Sequence, residues 1–288
     1  MTEEEGKTFL PFRFRHRDAV QDKLRPGGRI VVDAARVPSQ PNQSVMDAVR
    51  VLQAVTFHSR AVSASEIARE LGIEVTRAHR LLRTLSLLGM TYQTRKKRFT
   101  PGPAMHVLAT QALLNSDLSY AARGPLDSLH HETGLEVAMG MLWQDYVSYI
   151  YHASPDMPIE AAAGQVSIFP ASYSSLGRIL MSSLPEEQVR AIYADRRIVG
   201  YEDTGIDALL DDLRAARAGG FARVERKTLT GRVTIAICLP SRPFAAIGVG
   251  GELAPEQTPT LLAKLRRAAG QIDTELDRAH PGESATGV

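Results

Sequence analysis

The chain has 288 residues, 44% of them hydrophobic, enough to bury the cores of about two ordinary domains. A single cysteine, Cys238, excludes an intramolecular disulfide, no stretch approaches the roughly 20 apolar residues of a membrane span, and the acidic start at residues 1–6 lacks the features of a secretory signal; a cytoplasmic protein without membrane contact is expected. The net charge of +2 is unevenly placed: residues 44–118 hold 10 basic against 5 acidic side chains and residues 119–288 hold 16 against 21, so a polyanion is expected to meet the first stretch and not the second.

Residues 1–43 mix Pro, Gly, Arg and acidic side chains without sustained period, and they read as a poorly ordered tail with one short candidate strand at 29–34. From Ser44 the pattern turns helical, with Val45, Ala48, Val49, Leu52 and Val55 on one side. Ser63 followed by Glu66 has the form of a capping box, which opens a short helix that Gly72 stops. A third helix is predicted over 75–88. Its apolar arc holds Val75, Ala78, Leu81, Leu82, Leu85 and Leu88, and its polar arc Thr76, Arg77, His79, Arg80, Arg83 and Thr84. The three-residue connection Gly72-Ile73-Glu74 suits a helix-turn-helix. Residues 90–100 then read as a hairpin whose tip, Arg95-Lys96-Lys97-Arg98, is wholly cationic.

A DNA major groove admits one helix, which must offer hydrogen bonds to base edges and cations to phosphates. Thr76, Arg77, His79, Arg80 and Arg83 are the matching types on one face, with Ser63 at the preceding helix start and the hairpin tip 95–98 completing the candidate DNA-binding set. An arginine-rich helix taken alone is more simply a solvated amphipathic helix. The capped helix and Gly turn before it, and the basic hairpin after it, favour a winged helix-turn-helix over residues 44–102.

Pro101-Gly102-Pro103 ends the wing, residues 103–118 read as a linker helix, and a second domain is expected over 119–288. That domain alternates strands at 136–142, 147–152, 221–224, 233–239 and 245–249 with helices at 174–183, 185–194, 207–218 and 256–279, an α+β pattern.

These residues also resemble a known family. The run from Gly72-Ile73 through Thr76, His79-Arg80-Leu81-Leu82, Thr84-Leu85 and Leu88-Gly89 is similar to the recognition-helix signature of IclR-type regulators, and Phe99 with Gly102 resembles the end of their wing. Leu126, Leu129 and Glu132-Thr133-Gly134, the stretch 170–178, and Gly219-Gly220-Phe221-Ala222 with Glu225 and Gly231 extend the resemblance over about residues 44–280. It implies a GAF-like C-terminal domain with a curved antiparallel sheet that encloses a small organic effector. By the same resemblance the pocket is lined by Ser174, Ser175 and Leu176, by Val224 and Thr234, and by Gly248 and Gly250. Tyr173 joins them, because the segment 170–175 combines hydroxyls with a helix start suited to a carboxylate. Glycines at 248 and 250, where the family often has hydroxyl side chains, are expected to leave space for a bulkier or less polar ligand, aromatic or a carboxylate. Pairing through the Ser44 helix implies a homodimer or homotetramer on a double-stranded operator.

Other chemistry finds less support. His130-His131 has no Cys or carboxylate at metal-ligand spacing and reads as a surface pair; residues 174–178 fit neither nucleophile motif; and Gly248, Gly250 and Gly251 lack the dinucleotide-binding spacing. Trp143 reads as hairpin packing and Cys238 as a core hydrophobe. No metal, cofactor or catalytic residue is expected. The alternative is an enzyme or small-molecule carrier that uses the helix-turn-helix only as an interaction module.

Overall fold

Asn42 starts the first helix by accepting hydrogen bonds at Oδ1 from the backbone N–H groups of Ser44 and Val45, 3.0 and 3.3 Å away. In this computed structural model, which describes residues 42–155, 167–194, 196–225 and 232–279, that helix is α1 (Gln43–Phe57). The tail 1–41 and its candidate strand lie outside the described residues. Helix α2 (Ala64–Leu71) carries the predicted capping box, Ser63 with Glu66, and ends on Gly72 at φ +63, a left-handed turn that glycine adopts without strain. Helix α3 is Val75–Leu87. The wing pairs β1 (Thr91–Gln93) with β2 (Phe99–Pro101), and Val62 exchanges two backbone hydrogen bonds with Phe99. Val51, Ala54, Val55, Ile67, Ala78, Leu82, Leu85 and Phe99 meet in one core under these elements.

The expected packing faces are partly corrected. Val45 and Val49 on α1 are 59% and 37% exposed, and Val75 and Leu88 at the ends of α3 are 51% and 65% exposed. On α1 the buried side is set by Asp47, Val51, Ala54 and Val55, so its apolar residues fall on two faces and only one is covered. On α3 the end positions reach past the neighbours that would cover them.

Helix α4 (Pro103–Leu114) begins with Pro at its first turn and buries none of its residues. Helix α5 (Asp117–Thr133) leads into six antiparallel strands: β3 (Glu136–Trp143), β4 (Tyr146–Ala153), β5 (Ser167–Pro170), β6 (Ala222–Glu225), β7 (Arg232–Leu239) and β8 (Arg242–Glu252). Their order is β5-β4-β3-β8-β7-β6. Alternation along β7 assigns the faces: Val233, Ile235, Ile237 and Leu239 pack with α5 and the last helix α9, and Ala236 with Cys238 packs with α6 (Ser175–Met181). Helices α7 (Glu186–Tyr193) and α8 (Gly205–Gly219) form a satellite cluster beside α6, and α9 is Thr258–Ala279.

Strand β5 was not predicted, since four residues show no period. His130 is no surface residue: it is 9% exposed, with Nδ1 2.7 Å from the Leu135 carbonyl, which only accepts, so Nδ1 donates. Trp143, expected to pack in the hairpin, is 49% exposed. Among the described residues no helix is long and apolar enough to cross a membrane.

Candidate nucleic-acid interface and effector site

Ala78, Leu82 and Leu85 fix the inward side of α3. At about 100° per residue, Thr76, Arg80, Arg83 and Leu87 stand opposite, with Arg77 and His79 on the two flanks. Thr76, Arg80 and Arg83 are exposed, and neither arginine forms an ion pair with another described residue. Leu87, at 86% exposure, ends this face. The flanks are engaged. Arg77 places Nη2 2.5 Å from Oδ2 of Asp47, and the His79 ring stands edge-on to Phe99 at 6.4 Å. Thr84 turns its hydroxyl back to the Arg80 carbonyl at 3.0 Å. The outward face without internal partners among the described residues is therefore narrower than the arc read from the sequence: it centres on Thr76, Arg80 and Arg83, with Arg77 partly exposed at its edge.

At the wing tip, Arg95, Lys96 and Lys97 are exposed, and Lys97 takes φ 57 to close the turn. Arg98 points the other way. Its Nε donates to the Ala61 carbonyl at 2.9 Å and its Nη2 to Glu66 Oε2 at 2.6 Å. Glu66 also accepts from the Ser63 N–H at 2.7 Å and the Ser63 hydroxyl at 2.8 Å. Ser63 and Arg98 thus tie the wing to the start of α2 instead of presenting free donors. The Ser63 N–H, then its hydroxyl, hold the Glu66 carboxyl far below its ordinary value, with Arg60 and Arg98 adding to the effect. A depressed carboxyl stabilises the fold above its unfolded value and loses that contribution in acid, so this anchor holds at neutral pH and loosens below about 4.5.

The second candidate site lies on the α6 face of the sheet. Tyr146 pairs with Pro170, a 3₁₀ turn (Ala171–Tyr173) follows, and Ser174 caps α6. Ser174 and Ser175 are 1% and 3% exposed. The Ser174 hydroxyl is 3.0 Å from that of Tyr149, whose ring lies 4.7 Å from Phe169. Leu176 packs in the cluster that holds Ala236 and Ala246. Val224, Thr234 and Gly250 are successive partners across β6, β7 and β8, and Gly248 pairs with Ala236. Thr234 Oγ1 is buried without a hydrogen-bond partner among the described residues. Tyr173 departs from this group: its ring lies against Gly200, where a Cβ would come within 2.9 Å.

The expectation that the two glycines leave open space is corrected. A Cβ on Gly248 would sit 2.8 Å from the Ile235 carbonyl oxygen and 3.1 Å from Ala236 Cβ, and one on Gly250 would sit 3.1 Å from Thr234 Cγ2. At 248 glycine is needed because the β7 backbone approaches closely, so a leucine there would disturb strand pairing and not merely fill a pocket. Arg178 is engaged by Asp212, by the Ser172 carbonyl and by the Tyr201 ring. A cleft of about 210 Å³ lies elsewhere, between α5 and α9, beside the ion pairs that Glu132 makes with Lys264 and Arg267. Sequence reasoning missed Asp47 and Tyr149; Tyr149 stands beside Ser167 and Ser174 only through the fold.

A family model for the IclR helix-turn-helix domain matches residues 44–95, and one described as the bacterial transcriptional regulator IclR C-terminal domain matches residues 110–274. The glycerol operon regulatory protein of Streptomyces coelicolor is 28% identical over 250 residues, which cover 81% of this chain and 96% of that protein. An IclR family transcriptional regulator from Brucella abortus overlays with a TM-score of 0.67 at 19% identity, over 86% of this chain and 99% of the other. An IclR homologue from Microbacterium hydrocarbonoxydans, crystallised in complex with 4-hydroxybenzoate, overlays with a TM-score of 0.53 at 23% identity, over 82% and 100% of the two chains. At those identities the solved structures speak for the fold. The two family matches go further, since together they span most of the described residues: the chain belongs to the IclR family of DNA-binding transcriptional regulators, with an N-terminal helix-turn-helix and a C-terminal effector domain.

Proposed function

We propose that α3 enters the major groove of a two-fold operator, that the wing contacts the flanking phosphates, and that a small organic effector between α6 and the sheet sets the affinity. The observation that carries the first part is the face of Thr76, Arg80 and Arg83, exposed and held by no ion pair among the described residues. The working division is a DNA-binding unit at 44–102, a linker at 103–118 and an effector and assembly unit at 119–288, acting in the cytoplasm where its DNA lies.

Helix α4 supports a homodimer or a dimer of dimers. Residues 101–116 contain no charged side chain, and Val107, Leu108 and Leu114 are 55%, 47% and 79% exposed. A short helix that is apolar on nearly every side is stable only when covered. A second copy would cover it and would set two copies of α3 about 34 Å apart, one helical turn of DNA.

For the effector, the Tyr149 and Ser174 hydroxyls, and the Thr234 hydroxyl that has no partner among the described residues, offer hydrogen bonds beside a cluster of apolar side chains. This suits an aromatic ring with a hydroxyl or carboxylate, and 4-hydroxybenzoate, found in the Microbacterium homologue, is the first probe to use. Calorimetry with 4-hydroxybenzoate and related aromatic acids is expected to find a ligand that shifts operator affinity by about 5–150-fold. Tyr149→Phe with Ser174→Ala is expected to weaken that ligand about tenfold, at roughly 0.5–1.5 kcal/mol per hydrogen bond, and to leave ligand-free operator binding intact. Equal affinity of the double variant and the wild type for the ligand would place the effector elsewhere.

A further inference from the structure

The inward face of α1 holds one residue that hydrophobic packing does not explain. Asp47 is 3% exposed amid Val51, Ala54 and Val55. Its Oδ1 accepts from Gln43 Nε2 at 2.9 Å and from Arg50 Nη1 at 3.3 Å, and its Oδ2 meets Arg77 Nη2 at 2.5 Å. Arg50 reaches on to the carbonyl of Leu71 at 3.2 Å, the last residue of α2 before the Gly72 turn. One carboxylate therefore joins α1 to the third residue of α3, and its neighbour joins α1 to the turn that sets the angle of α3. Arg50 Nε is buried with no hydrogen-bond partner among the described residues.

Arg77 has one edge of its guanidinium on Asp47, yet its side chain remains 39% exposed beside Thr76 and Arg80. A phosphate accepts an arginine from many rotamers, whereas a base edge accepts it from very few. A buried carboxylate that selects one rotamer favours the second use. It also offsets the charge of Arg77, which reduces the general pull on phosphates.

We infer that Asp47 is a specificity-determining positioning residue, which holds the Arg77 guanidinium so that it serves base selection instead of general attraction to DNA. The inference rests on the reading of α3 as the groove helix, and it adds a residue on α1 that touches no DNA.

The test titrates the full chain against its own upstream operator and a scrambled duplex of equal length at several salt concentrations, for wild type, Asp47→Asn, Arg77→Lys and the double variant. Asp47→Asn is expected to lower the ratio of operator to scrambled affinity about tenfold and to steepen the salt slope on scrambled DNA by about one unit, as the freed Arg77 takes a phosphate. Arg77→Lys keeps the charge and is expected to lower the ratio similarly. The double variant should lose no more than either single one, because both act through one contact. An unchanged ratio in Asp47→Asn overturns the inference, as does an equal loss on both duplexes with an unchanged slope, the signature of a carboxylate that only supports the fold. Should Asp47→Asn melt early, Arg77→Lys decides: selectivity equal to wild type overturns the inference. A wild type that shows no preference between the duplexes overturns the reading of α3 itself, and this is seen before any variant is measured.

Discussion

Arg80→Ala should weaken operator binding by roughly 1–3 kcal/mol and relax selectivity at one base pair, with little change on unrelated duplex. Arg80 stands at the centre of the outward face of α3, with no internal ion pair among the described residues, so its removal disturbs no packing and exposes no buried charge. The wing should give the opposite signature. Lys96→Ala with Lys97→Ala removes two exposed cations of the tip, so all sequences should weaken alike, and the salt slope should flatten by about one unit per lost phosphate contact. Competition titrations at two salt concentrations separate the two behaviours. Uniform weakening by Arg80→Ala, or lost base preference with an intact salt slope in the wing variant, would reverse the assignments.

Gly177→Ala should destabilise the effector domain more than any surface change. A Cβ at this position would lie 2.3 Å from the Ala171 carbonyl oxygen and 2.4 Å from Ala171 Cα, both backbone atoms that cannot rotate aside. The 3₁₀ turn, Ser174 and the start of α6 would have to move together. Overpacking of this kind costs at least roughly 1–3 kcal/mol, and about 2–4 °C of melting temperature per kcal/mol is typical of a chain segment this size. Gly124→Ala on the exposed side of α5 is the control, since nothing lies within 4 Å of its added Cβ, and it should be neutral or slightly stabilising. Thermal melts followed by circular dichroism decide the matter. If the Gly177 and Gly124 variants melt together, the turn is not held by this close approach.

The helix-turn-helix was legible because its signals are local: a capping pair three residues apart, a left-handed glycine and a dense basic turn each lie within a few positions of what they control. Contacts between distant residues were hidden. Nothing near Asp47 shows that a guanidinium 30 positions later will face it, and an apolar-period count passes over a buried carboxylate. Arg98 looks like its three basic neighbours until the fold brings the Ala61 carbonyl and Glu66 beside it. At the candidate effector site the segment 174–176 read from the sequence does come to lie against β7 and β8, whereas Tyr173 turns to Gly200. The sequence did not show that β7 already fills the space beside Gly248, because a glycine marks a close approach without saying whether backbone or ligand makes it. Tyr149 joined the site only through its hydroxyl contact with Ser174, 25 residues on in the chain.

The most direct test of the central account, base reading by the outward face of α3, is a footprint and competition titration of the full chain on the DNA upstream of its own gene. A protected two-fold site is expected, bound about 10³-fold or more tightly than scrambled DNA at physiological salt, with that ratio collapsing in a variant that carries Arg80→Ala and Arg83→Ala. Equal affinity of the wild type for both duplexes, or a ratio unchanged in the double variant, would contradict it.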